Sequence, residues 1–126
     1  MRRASGLAAE ELESRRVAAS RTAVGDSLRS VTYFTPEAYD QIYLRAGLDS
    51  DADITGFVEH ESVGFRAHTA YRGSELGGYR YTVRAFQNGF LVRVTEADHG
   101  LFFTVDDISL RSAEEGAEAV SRVLAD

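Results

Sequence analysis

Residues 79–105 read Tyr79-Arg80-Tyr81-Thr82-Val83-Arg84-Ala85-Phe86-Gln87-Asn88-Gly89-Phe90-Leu91-Val92-Arg93-Val94-Thr95-Glu96-Ala97-Asp98-His99-Gly100-Leu101-Phe102-Phe103-Thr104-Val105, and the fold turns on them. Three β-branched and aromatic runs, at 79–86, 90–96 and 101–105, are separated by turn residues, which predicts a three-stranded antiparallel meander. Asn88-Gly89 is the signal for a two-residue type I′ turn. Such a turn sets Ala85 opposite Val92 and Val83 opposite Val94, and the second turn, at 97–100, sets Phe103 opposite Val94. One face then carries Tyr81, Val83, Ala85, Val92, Val94, Phe103 and Val105, an apolar surface that helices must cover. On the other face the same register puts Arg84 directly opposite Arg93, with Arg80 farther along the strand. Like charges so placed repel, so a compensating group is expected.

Working outward, Ser112 to Glu115 reads as a capping box opening a last helix, with Ala113, Ala117, Val120 and Leu124 along one stripe. Upstream, the glycine-rich residues 73–78 form a loop, and Asp51 or Asp53 is placed to cap a helix reaching about Phe65, striped by Ile54, Phe57, Val58 and Phe65. Residues 31–35 and 41–45 read as a β-hairpin around Pro36-Glu37-Ala38. The alternative is a short helix with Thr35 as N-cap and Pro36 at its first position. Alanine-rich residues 7–24 predict a first helix with Leu7, Leu12 and Val17 near one face, ended by Gly25-Asp26. The whole predicts one α+β domain over 1–126: a five-stranded antiparallel sheet, hairpin plus meander, with helices on both faces.

The composition removes several chemistries. There is no cysteine, which excludes disulfides, thiol nucleophiles and thiolate metal sites. All 14 basic residues are arginine, so no lysine is present for Schiff-base chemistry or a phosphate loop. Arginine without lysine, beside 20 acids and a net charge of −6, fits a haloarchaeal cytoplasm, where molar salt screens surface charge; a high-GC bacterial genome is the alternative. The acidic balance argues against nucleic acid. Met1-Arg2-Arg3 is followed by acids before any apolar run forms, so it is not an export signal, and no stretch approaches a membrane span. A cytoplasmic protein without cofactor is expected.

The element order α-β-β-α-β-β-β-α resembles the roadblock and profilin-like architecture. Separately, Leu28-Arg29-Ser30-Val31-Thr32-Tyr33-Phe34, Tyr43-Leu44-Arg45 and Tyr81-Thr82-Val83-Arg84-Ala85-Phe86 resemble small uncharacterised domains of haloarchaeal genomes. The roadblock likeness implies a non-catalytic homodimer that docks a small GTPase or another signalling protein.

Candidate sites are few. Arg80, Arg84 and Arg93 form a cluster suited to an anion or an acidic partner, against a reading in which Asp106, Glu59 or Glu61 neutralises them locally. Asp49, Asp51 and Asp53 have the first spacings of a calcium loop, but Ile54 and His60 stand where glycine and glutamate are needed, so helix capping is preferred. His60 or His68 with a neighbouring carboxylate would be the residues of a small enzyme, and His99 reads as a solvated turn residue. A pocket near Tyr71, Tyr79 and Tyr81 would mark a small-ligand sensor. A cytoplasmic binding or signalling adaptor is the preferred function, with sensor and enzyme as alternatives.

Overall fold

Six of the seven residues Leu28–Phe34 are buried, with only Arg29 partly exposed, as a strand covered on both faces requires. The computed structural model describes residues 1–54 and 56–125, and His68 without its side chain. Its elements are β1 (Arg2–Arg3), α1 (Glu10–Val24), β2 (Leu28–Phe34), β3 (Ala38–Leu44), α2 (Phe57–Glu61), α3 (Ala67–Ala70), β4 (Thr82–Phe86), β5 (Gly89–Thr95), β6 (Gly100–Asp106) and α4 (Leu110–Leu124). A 3-10 turn, Ser62–Arg66, joins α2 to α3. The strands form one sheet in the order β1-β3-β2-β6-β5-β4.

The hairpin and the meander are both present, and residues 38–44 are strand rather than helix. Thr35 closes that hairpin: its N–H donates to the Ala38 carbonyl at 2.8 Å and its hydroxyl accepts from the Ala38 N–H at 3.1 Å. The sheet nevertheless has six strands and is mixed, not five and antiparallel, because Arg2 and Arg3 run parallel to Ala38 and Tyr39. Two exposed arginines carry no alternation that could mark a strand. Backbone bonds hold them, from Arg2 N–H to Glu37 O and from Ala4 N–H to Tyr39 O, beside a side-chain contact from Arg3 to Asp51.

The meander's register also differs. Gln87-Asn88 form the turn, so Ala85 meets Phe90, Val83 meets Val92, Arg84 meets Leu91 and Thr82 meets Arg93. In the second hairpin Phe103 meets Val92, and Val94 meets Leu101. Every partner moves by two residues, which preserves the faces but changes the pairs. Neither Gln87 nor Asn88 has the positive φ of a type I′ turn. Gly89 serves the ladder instead: a Cβ there would lie 2.0 Å from the Val105 carbonyl oxygen.

Helix boundaries shift for local reasons. The middle helix starts at Phe57 because Asp53 (φ 63°) and Gly56 (φ 79°) turn the backbone out of the helical path, so Asp53 is no cap. The last helix is capped by Ser109, whose hydroxyl accepts from the Ser112 N–H at 3.1 Å, and not by Ser112. In α1 the buried stripe is Arg16, Ser20 and Val24, with Val17 only partly covered. Small residues let α1 and α4 lie close. At Gly116 a Cβ would be 2.7 Å from Phe103 Cζ and 3.6 Å from Val24 Cγ1.

Under α1 and α4, Leu28, Val31, Val92, Val94, Leu101, Phe103 and Val105 pack against Ala113, Ala117, Val120 and Leu124. On the other face Phe34, Leu91 and Phe102 pack against Ile54 and Val58. Among the described residues no helix is long and apolar enough to cross a membrane.

Candidate functional site

Alternation along β4, β5 and β6 puts Thr82, Arg84, Leu91, Arg93, Phe102 and Thr104 on the face that α2 and α3 cover. Glu61, at the end of α2, reaches down to this face and is 1% exposed. Its Oε1 accepts from Arg93 Nη1 at 2.9 Å and its Oε2 from Arg84 Nε at 2.7 Å. Arg93, 4% exposed, also donates through Nη2 to Thr82 Oγ1 at 2.9 Å and Tyr79 Oη at 3.1 Å. Tyr79 and Thr82 in turn bond to each other. Gly64 lies against the guanidinium: a Cβ there would stand 2.3 Å from Arg93 Nε. Only glycine lets the 3-10 turn settle on the arginine.

Arg84 and Arg93 are therefore brought together, but diagonally and through Glu61 rather than as an opposed pair. Arg80 is elsewhere. It pairs with Glu118 of α4 at 3.3 Å and lies 5.3 Å over the Tyr81 ring. Asp106, expected diagonal to Arg93, instead accepts from Arg45 at 2.7 and 3.0 Å. That hydrogen bond, outweighing burial, holds its carboxyl below the usual aspartate range. Glu59, the other expected neutraliser, is exposed.

Above the arginines runs a groove of about 410 Å³ between residues 63–71 and the start of β4. Arg66, Arg84 and Arg93 line it together with Val63, Tyr71 and Tyr79. The Tyr71 and Tyr79 rings stack with centroids 6.3 Å apart. Tyr71 is 58% and Val63 48% exposed, so the walls face solvent and enclose no cavity. Tyr81 belongs to the opposite face, where its hydroxyl donates to Glu114 at 3.2 Å. The three tyrosines therefore share no pocket.

The remaining sequence candidates resolve differently. Asp53 turns inward, and its Oδ2 accepts from Thr104 Oγ1 at 2.5 Å, Ser30 Oγ at 3.1 Å and Arg29 Nε at 3.2 Å. Asp51 points outward to Arg3 at 3.5 Å, so the aspartates do not converge as a calcium loop would require. Among the described residues no three histidines or acids are grouped to hold a metal ion. His60 is exposed on α2, and the His68 side chain lies outside what the structure describes. His99 is not a free turn residue, since its Nδ1 bonds the Tyr33 hydroxyl at 2.7 Å. Above that tyrosine, Arg16 sits 4.4 Å from the ring centroid.

The two sheet edges differ. β1 covers the β3 edge at Ala38 and Tyr39, whereas no strand among the described residues pairs with any part of the outer side of β4. A two-residue turn makes Phe86 and Gly89 the pair that exchanges both backbone bonds, so by alternation the peptide groups of Val83 and Ala85 point outward. Beside them Phe86 is 52% exposed, stacked on Phe57 with ring centroids 6.1 Å apart.

Comparison with known proteins agrees with this layout. The model of the family described as Domain of unknown function (DUF7522) matches residues 14–125. Myxococcus xanthus MglB superposes with a TM-score of 0.57 at 11% identity, covering 94% of each chain. The roadblock/LC7 domain from Streptomyces avermitilis gives 0.51 at 17% identity, over 86% of this chain and 93% of that one. A structure described as MglB with tetrameric arrangement gives 0.52 at 12% identity, over 89% of each. At these identities the likeness establishes a roadblock/LC7-like fold alone. No curated protein matches the chain.

Proposed function

We propose that this chain, which belongs to the DUF7522 family and folds like a roadblock/LC7 domain, is a non-catalytic adaptor that pairs with a second copy of itself along β4. The carrying observation is the open β4 edge, five residues long and flanked by exposed Phe86, whereas the strand at the opposite edge, β1, is only two residues long. An unpaired row of peptide groups is a template for another strand, and soluble proteins usually cover or charge such an edge. Oligomeric assembly of a structural neighbour, the tetrameric MglB, supports the same direction. Docking of a small GTPase or another signalling protein is the further step suggested by the fold. The lysine-free, acidic composition supports a salt-rich cytoplasm as the setting.

Light scattering of the full chain in molar salt tests the pairing. The wild type should run at twice the monomer mass, and Ala85→Pro at the monomer mass with the circular dichroism of the folded chain retained and a melting temperature that no longer rises with protein concentration. Proline at 85 deletes an outward N–H and spares the β4–β5 ladder, which is where strands tolerate it. A wild-type monomer at high protein concentration, or an Ala85→Pro dimer, would count against the proposal.

A further inference from the structure

The groove between residues 63–71 and β4 is cationic in a protein whose net charge is −6. Among the described residues Arg66, Arg84 and Arg93 line it and no acid does, because Glu61 lies buried beneath them. One carboxylate faces two guanidiniums there, leaving an excess of positive charge before Arg66 is added. Arg84 uses only its Nε on Glu61; its two terminal nitrogens have no partner among the described residues, and its side chain is 33% exposed. That leaves the end of the fork open, the geometry in which a guanidinium takes a carboxylate bidentately. Arg66 is exposed and likewise unpaired among the described residues.

From this we infer that the groove receives an acidic segment of a partner protein, with one carboxylate on the Arg84 fork, a second near Arg66, and an apolar side chain against Val63 and the Tyr71–Tyr79 stack. Three features favour that occupant. Arg84 is held in place by Glu61, so little side-chain freedom is lost on binding. The exposed tyrosine and valine walls suit a side chain rather than a bare ion. The acidity of the whole molecule repels a polyanion such as nucleic acid, while a short acidic segment can be accommodated locally. The groove opens on the face of β4 and not along its edge, so it does not depend on pairing of two copies.

Titrating the isotope-labelled full chain with hexaglutamate, with hexaglutamine as control, tests this by amide chemical shifts at the lowest salt that retains the fold. Shifts should concentrate at residues 63–71 and 79–84 with hexaglutamate only, and fade as salt is added. Arg84→Gln should weaken binding by about tenfold or more, the loss of a charged hydrogen bond. Arg66→Gln should weaken it by up to about fivefold, as for an exposed ion pair. Arg84→Lys, which keeps the charge but not the fork, should fall between wild type and Arg84→Gln. Shifts elsewhere or none, equal binding of hexaglutamine, or unchanged affinity in both glutamine variants would overturn the inference. So would tighter binding of inorganic phosphate or an oligouridine, either of which would replace the carboxylate by a phosphate. If Arg84→Gln does not fold, Arg66→Gln and Arg84→Lys decide the matter. Repeating the titration on Ala85→Pro separates the two proposals, since binding should persist in a monomer.

Discussion

On the face beneath α1 and α4 the sheet buries Leu28, Val31, Val94, Leu101 and Phe103 against the alanines, valine and leucine of α4. On the opposite face it buries a smaller apolar cluster together with Glu61, Arg93, Ser30 and Thr104. The first face also buries Arg16 of α1 on the Tyr33 ring, but most of its burial is apolar and non-directional, so it holds two long helices without dictating every contact. Charged hydrogen bonds are directional. The second face therefore fixes one arrangement of a segment made of a five-residue helix, a 3-10 turn and a four-residue helix, each too short to persist unaided. That segment forms one wall of the groove, so the polar face is where structure and proposed binding meet.

The comparison breaks first at Glu61. Glu61→Ala leaves Arg93 buried without its counter-charge and should cost about 3–5 kcal/mol in urea unfolding. Replacing both partners, Glu61→Met with Arg93→Met, should cost far less, because a buried pair offsets much of its own desolvation. If the single and double variants lose the same stability, the pair acts through packing alone and the contrast between the faces fails.

How far the sequence discloses each face follows from the same contrast. Period-two alternation places Val83, Val92, Val94, Phe103 and Val105 on one side, as the structure does, although the pairs are displaced by two residues. Alternation reports faces, whereas register here depends on Gly89, kept small by the Val105 carbonyl rather than by a turn. Glu61 is visible as a nearby acid, but Gly64 within the 3-10 turn, Asp53 in a left-handed conformation and β1 carry no periodic signal. Such features are set by tertiary contacts, which no local pattern encodes. In sequence Arg80 falls in the same run as Arg84, yet it precedes β4 and turns to α4.

Two glycines offer a matched, smaller test. Gly116→Ala pushes a methyl into Phe103 on the apolar face, and Gly64→Ala pushes one into Arg93 on the charged face. Each should cost about 1–3 kcal/mol by overpacking. A rotated ring still packs, but a displaced guanidinium loses bonds to Glu61, Thr82 and Tyr79, so Gly64→Ala should be the more costly in denaturant unfolding. Equal losses would mean that Arg93 repositions freely.

The smallest effect belongs to a charge pair that is exposed rather than buried. Arg45 holds Asp106 through two hydrogen bonds, and Arg29 stands 3.9 Å away. Asp106 has a depressed pKa in the folded chain, chiefly through the Arg45 hydrogen bond. Its contribution is therefore fully present above the unfolded aspartate value of about 3.9 and is lost as pH falls through the lower folded value. The Asp106 side chain is 43% exposed, so solvent screening limits that contribution to less than about 1 kcal/mol. Arg45→Gln should lower stability slightly at pH 7, and the gap to wild type should close as Asp106 is protonated. Molar salt should narrow the gap at neutral pH as well, while the Glu61→Ala loss, arising in the interior, should resist salt. A gap that survives acid would assign the role of Arg45 to its bond with the Asp26 carbonyl, 3.1 Å away, which does not titrate.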